Sequence, residues 1–268
     1  MNLSKAFLAL CRIPGFEKRL WHGWYQFLAR HYRSSDWTFM NYGLDEPDFD
    51  LVLDASDEAN RACIQLYNHV AGAVPLQGLN VLEVGSGRGG GAAFVMRYLK
   101  PATMLGVDLS EEAVRLSRRI HTLNGLSFKA ADAENLPFER DIFDVVLNIE
   151  SSHCYPNVSA FFNEVARVLR PGGHFLYADF RQRKAVDSWR DLLRQSGLTI
   201  ISETDITPGV VRALDTENER KLALMNRIVP KFLQASIRDF AAVRGSEMYD
   251  AFCHGSLVYI SFVAQKPV

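Results

Sequence analysis

A chain of 268 residues with 48% apolar and 23% charged side chains can bury one sizeable core, which sets aside a disordered or fibrous reading. Thirty Lys and Arg against thirty-one Asp and Glu leave a formal charge of −1, so no overall field draws a polyanion and nucleic acid is not expected as a substrate. No run approaches the ~20 apolar residues that span a bilayer, Ala6 to Cys11 is short for a secretory signal, and Cys11, Cys63, Cys154 and Cys253 form no C-x-x-C pair, so the expectation is a cytoplasmic protein with reduced thiols and no metal.

Residues 1–78 read as a helical, aromatic N-terminal cap: Leu3, Phe7 and Leu10 share one helical face, and Trp21, Trp24, Tyr25 and Leu28 share another. Cys63, Leu66, Tyr67 and Val70 then fall at i, i+3, i+4 and i+7, which predicts a helix over 59–70. Val81, Leu82 and Val84 suit a buried parallel strand that breaks into glycines, and Ala92, Val95, Met96 and Leu99 continue as an amphipathic helix over 91–99. Strands at 103–107, 126–130, 144–148 and 174–179 alternate with helices at 111–121 and 158–169, the pattern of an α/β fold with a parallel sheet. Ser110 is placed to cap the helix at 111–121, with Glu111 and Glu112 in its positive first turn. Leu198 to Ile201 and Leu257 to Val263 read as two closing strands. Residues 205–255 between them are too long for a turn, and Leu222, Met225, Ile228, Val229 and Phe232 predict inserted helices. The expected division is a cap at 1–78, a ligand-binding core at 79–204, a helical lid at 205–255 and a closing strand at 256–268.

Gly85, Gly87 and Gly90 satisfy G-x-G-x-x-G, so a dinucleotide loop has to be weighed first. Its neighbours argue otherwise. Glu83 lies inside the strand, where an acid opposes a pyrophosphate and welcomes an ammonium. Asp108, 25 positions later at the tip of the next strand, suits a ribose diol because each carboxylate oxygen accepts one hydroxyl. Ala131-Asp132-Ala133-Glu134 is a third acidic turn, where an adenine amino group can be met. The bare backbone at Gly85, Gly87 and Gly89 admits a ligand, and the free N–H groups of the following helix favour its anionic end. An ammonium, a carboxylate, a diol and an adenine occur together in S-adenosylmethionine.

In this order, Val81 to Gly91, Gly106-Val107-Asp108-Leu109-Ser110, Ala131 to Phe138, Phe143-Asp144-Val145-Val146 and Leu169-Arg170-Pro171-Gly172-Gly173 resemble the motif set of class I S-adenosylmethionine-dependent methyltransferases. The resemblance implies a Rossmann-like sheet, mostly parallel with an antiparallel last strand and helices on both faces. It implies S-adenosyl-L-methionine as cofactor, held by Tyr42, Glu83, Gly85, Ser86, Gly87, Asp108, Leu109, Asp132, Ala133, Glu134 and Asn148. For Tyr42, within Phe39 to Leu44, a core aromatic beside a turn glycine is the competing reading. More narrowly, Asp54 to Arg61, Phe143 to Pro156 and Tyr177-Ala178-Asp179 look like the mycobacterial phthiotriol and phenolphthiotriol dimycocerosates methyltransferases. That likeness implies O-methylation of a hydroxyl on a lipid or polyketide-like small molecule.

A hydroxyl needs a base, and His153 beyond the fourth strand is the leading candidate because imidazole titrates near working pH. A loop histidine that only packs is the plainer alternative. Glu150 is read as orienting His153, contacting the donor or binding a polar acceptor, against a strand-end acid bonded to backbone. Asp179 is read as a second base or an orienter, against a helix cap, and His254 is a third candidate better placed on the surface. A fatty-acid carboxylate, an amine or a carbon is the alternative acceptor, and a non-catalytic donor-binding module is the alternative of another class. Trp21, Trp24, Tyr25 and Phe27 among Arg12, Lys18, Arg19 and Arg30 suit either peripheral contact with the inner membrane face or a packed cap. Monomer and homodimer both remain open.

Overall fold

The computed structural model describes residues 38–47, 51–228 and 231–268. The helical faces read at Leu3 to Leu10 and Trp21 to Leu28, the residues Arg12 to Arg30 read as either membrane contact or packed cap, and Val229 lie outside that set.

Seven strands form one sheet: β1 (Asn80–Val84), β2 (Thr103–Asp108), β3 (Leu126–Ala130), β4 (Phe143–Ile149), β5 (Leu169–Gln182), β6 (Thr199–Asp205) and β7 (Leu257–Gln265), in the order β3-β2-β1-β4-β5-β7-β6. Strands β1 to β5 pair in parallel, and β7 runs antiparallel to both of its neighbours, β5 and β6. This is the Rossmann-like class I methyltransferase architecture. The chain crosses from the β3 side to the β4 side at β1, so a crevice opens beyond the carboxyl ends of β1 and β4, the topological switch point of such sheets.

The strands form here because both faces of the sheet are covered, and their apolar residues serve the two faces alternately. Val81, Val145, Leu147 and Leu176 pack on the side of helix α1 (Arg61–Ala71). Leu82, Val84, Val146 and Phe175 pack with Phe161 and Trp189 on the other. Glu83 is two residues from Val81 and therefore shares the α1 face, where Tyr67 stands.

After β1 comes a five-residue helix, α2 (Gly90–Phe94), which continues as a π-helical turn over Val95–Leu99 and stops at Lys100, whose φ of 51° leaves helical space. The expected single helix at 91–99 is thus split by a change of winding. Helix α3 (Glu111–Ile120) starts at Ser110, whose side chain accepts the Ala113 N–H, and α4 (Val158–Val168) starts at Asn157, which accepts from Ala160. Helix α5 (Val186–Gln195) leads to β6. Helices α6 (Thr207–Thr216), α7 (Asn218–Ile228), α8 (Lys231–Phe240) and α9 (Glu247–Cys253) then connect β6 to β7. Strand β5 begins at Leu169, five residues before the expected start, because Leu169 pairs with Phe143 across a register shift. Among the described residues no helix is long and apolar enough to cross a membrane, and no three His, Cys, Asp or Glu side chains converge as metal ligands.

Candidate active site

The cavity at the switch point is lined by Gly85, Ser86 and Gly87 of the β1 loop, by Asp108 and Leu109 at the end of β2, and by Asp132, Ala133 and Glu134 after β3. Glu150 and His153 after β4 and Tyr42 of the N-terminal segment complete the expected set on its walls. Glu83, Asn148 and Asp179 do not line it. The Asn148 amide instead donates to the Val84 carbonyl and to Ser151 Oγ, each at 2.8 Å, tying the end of β1 to the loop after β4.

Asp108 is an anchor for the loop itself. Its Oδ2 accepts the Gly87 N–H and its Oδ1 the Ser110 N–H, both at 2.8 Å. A carboxylate oxygen can accept more than one donor, and these two bonds fix the orientation of the carboxylate. Ser86 presents a buried Oγ without a hydrogen-bond partner on the same wall. A Cβ built at Gly87 would meet only Met40 Sδ, at 3.8 Å. An orphaned hydroxyl, an oriented acid and bare backbone fit the polar half of S-adenosylmethionine.

Gly85, which lines the cavity, and Gly89 are also required by packing. At Gly85 (φ 78°) a Cβ would stand 2.1 Å from Ser151 Oγ, and at Gly89 (φ 79°) 2.7 Å from the Phe128 ring. A side chain at either position would collide with protein atoms.

Glu83 lies beneath the loop and is 1% exposed, with Oε1 accepting the Tyr67 hydroxyl at 2.6 Å. Tyr67 lines the cavity, so the acid reaches it through a phenol. Burial pushes the Glu83 carboxyl up from 4.5 to about 7, against the lowering effect of the Tyr67 bond. For an acid raised in the folded state, the stabilising contribution is full below the unfolded value of 4.5 and is lost as pH rises through about 7. Glu83→Gln should therefore flatten the decline in thermal stability over that interval, removing a pH-dependent loss on the order of 3 kcal/mol. Melting curves of both proteins at pH values spanning the interval check this, and parallel declines contradict it.

His153 sits in a short 3-10 turn, Ser152–Cys154. Its Nδ1 meets Asp179 Oδ1 at 2.8 Å, and its backbone N–H donates to Asp179 Oδ2 at 2.9 Å. Asp179, fully buried on β5, also accepts from Ser152 Oγ at 2.6 Å and from the Phe180 N–H at 2.8 Å, and its Oδ2 is 3.2 Å from Arg181. It caps no helix among the described residues and does not line the cavity; its oxygens are engaged within the fold. Burial pulls the imidazole toward its neutral form, but Cys154 and Asp179 outweigh it and hold the group well above its ordinary 6.5. For Asp179, burial is likewise outweighed, by His153 and Arg181, and the carboxyl is held low. The His153 ring packs on Phe180 with centroids 4.3 Å apart, and Phe180 stacks on Tyr42 at 5.5 Å.

Glu150 does not bond to His153. Its Oε2 accepts the Tyr42 N–H at 2.8 Å and the Tyr259 hydroxyl at 3.0 Å. Burial drives its carboxyl up from 4.5 to about 8, with both bonds opposing. Its φ of 51° is a left-handed backbone that costs a β-carbon residue about 1 kcal/mol. Tyr42 in turn donates its hydroxyl to the Phe240 carbonyl at 3.1 Å, joining the N-terminal segment to the end of α8 at the cavity mouth. His254 follows α9 as its C-cap and lines no part of the cavity.

Tyr67, Tyr259 and Phe180 were absent from the expected set. A tyrosine on a buried helical stripe needs a partner for its hydroxyl, which was the available signal for Tyr67. For the other two no local pattern exists.

A parallel sheet with one antiparallel strand, a polar loop at the switch point and an acid at the tip of β2 define a class I methyltransferase. Residues 76–243 match the methyltransferase domain family, and the chain belongs to it. S-adenosylmethionine is its methyl donor. The phthiotriol/phenolphthiotriol dimycocerosates methyltransferase of Mycobacterium tuberculosis is 42% identical over 250 residues, covering 93% of each chain. The fatty-acid O-methyltransferase of Mycolicibacterium smegmatis is 38% identical over 244 residues, covering 91% of this chain and 88% of its own. Among solved structures, the [4+2]-cyclase SpnF superposes with a TM-score of 0.71 at 19% identity, covering 94% of this chain and 96% of its own, a likeness of fold. The enzyme is thus an S-adenosylmethionine-dependent methyltransferase, similar over most of its length to methyltransferases named for lipid-related substrates.

Proposed function

We propose that the enzyme methylates a hydroxyl of a lipid or polyketide-like acceptor, with His153 as the base and Asp179 as its orienting partner. The observation that carries the reading is the contact at 2.8 Å between Asp179 and His153, which lines a cavity whose walls also include the aromatic Phe39, Tyr42 and Phe240. When bound, S-adenosylmethionine supplies a methyl group on a positively charged sulfur. Ser86, Gly87 and Asp108 hold its polar half, and Asp132 and Glu134 stand where the adenine is expected. His153 Nε2 takes the acceptor's proton, and the buried Asp179 carboxylate stabilises the resulting imidazolium. Glu150 positions Tyr42 and Tyr259 and does not act as the base. In this reading residues 79–204 and 256–268 form the donor-binding core, and the helices of 205–255 with the segment near Tyr42 roof it.

A second reading keeps the donor and takes a fatty-acid carboxylate as acceptor. The raised affinity of His153 for its proton favours it, because an imidazolium pairs with a carboxylate that needs no base. The two readings differ in sign. A base works only when neutral, so turnover of a long-chain alcohol should rise with pH through a value above 6.5. A cationic carboxylate ligand works only when charged, so turnover of a fatty acid should fall through the same value. Profiles of kcat/KM from about pH 6 to pH 10 on both acceptor types, in the parent and in His153→Asn, check this. A rising limb that survives in His153→Asn contradicts the base assignment.

A further inference from the structure

The charge behind His153 is divided between two cations. Asp179 is fully buried and receives His153 on Oδ1; on Oδ2 it receives Ser152, with Arg181 Nη1 3.2 Å away. Arg181 is fixed in turn. It donates to Ser152 Oγ at 2.8 Å and to the Phe180 carbonyl at 2.7 Å, and its guanidinium lies over the Trp189 ring at 4.8 Å. Ser152 therefore bridges the arginine and the aspartate, and Tyr177 meets the same Ser152 hydroxyl at 2.5 Å. Arg181 itself does not line the cavity.

From this arrangement we infer that Arg181 is a positioning residue that sets the proton affinity of His153 by neutralising Asp179 from behind. The inference rests on the reading of His153 as the proton acceptor.

The charge count supplies the physical reason. With neutral His153, Asp179 and Arg181 sum to zero in a buried site; with protonated His153 the trio carries +1, which burial disfavours. Without Arg181, the trio would be −1 with neutral imidazole and zero with imidazolium, and the proton would be held far more tightly. A base held permanently protonated cannot accept from a hydroxyl, so the arginine keeps the neutral form within reach. Arg181 is the cation packed directly against this carboxylate from β5. The other ionisable groups that interact with His153 are Cys154 on its own turn and Glu150 at the end of β4, and those that interact with Asp179 are Tyr42, Tyr259 and Tyr177.

The test is the titration of His153 followed by NMR of protein labelled at histidine, the His153 signal being the one missing from His153→Asn. In Arg181→Met, which keeps apolar cover on Trp189, the His153 midpoint should move to higher pH by about one unit or more, and the rising limb of the activity profile should move with it. Arg181→Lys, which keeps the charge, should restore most of the parent midpoint. Arg181→Gln serves if the methionine variant does not fold. An unmoved His153 midpoint in the folded variant, with activity lowered equally at every pH, overturns the inference and leaves Arg181 a structural residue. A moved midpoint in a protein whose activity ignores it upholds the coupling and overturns the base assignment instead.

Discussion

His153→Ala is expected to lower kcat on a hydroxyl acceptor by about 10²- to 10⁴-fold, the range that a positioned base contributes. Donor affinity should stay within a few-fold, because the donor wall is built from the β1 loop, the tip of β2 and the turn after β3, which His153 does not contact in any hydrogen bond. Calorimetric titration with the donor and turnover on a long-chain alcohol separate the two quantities. Retention of full turnover with the alcohol sinks the assignment. Retention only with a fatty acid shifts the proposal to the carboxylate reading. Asp179→Asn should reproduce much of the loss, since an amide neither fixes the imidazole tautomer nor stabilises its cation.

Asp108→Ala should weaken donor binding by about 10²-fold or more, the scale of losing hydrogen bonds to a charged acceptor. The geometry adds a second effect. The same carboxylate receives Gly87 and Ser110, so alanine also releases the loop between β1 and α2 and the entry to α3. Asp108→Asn separates these contributions, because its one carbonyl oxygen preserves part of the acceptor set. Donor affinity unchanged in both variants, measured by calorimetry, contradicts the placement of the ribose at this acid.

Much of the framework was legible because it is written in local patterns. Successive apolar runs separated by amphipathic stretches predict a parallel sheet. Ser110 with Glu111 and Glu112 predicts the start of α3, where Ser110 does accept from Ala113. The motif order carried the donor class. What the pattern could not give is what lies opposite each residue across the fold. Gly85 and Gly89 read as bare backbone for a ligand, and the pattern does not show that a side chain there would also collide with Ser151 and Phe128, distant in sequence. Glu83 reads as an acid inside the strand that meets an ammonium, yet Tyr67 stands between it and the cavity. Glu150 reads as orienting His153, contacting the donor or acceptor, or bonding to backbone, and which backbone it meets, the distant Tyr42 N–H along with the Tyr259 hydroxyl, is not written nearby. The π-helical turn at Val95–Leu99 also escaped, because its apolar spacing fits an ordinary helix equally well.

The span matched by the methyltransferase domain family, 76–243, leaves out residues that build the cavity and the sheet. Cutting there would discard Tyr67 and strand the Glu83 acid in an apolar layer. It would also remove Tyr42 and Tyr259, the two donors that hold Glu150 in its left-handed backbone, and with β7 it would strip β5 of its antiparallel neighbour. Any shortened version meant for crystallisation or engineering has to begin upstream of Thr38 and run through the last strand.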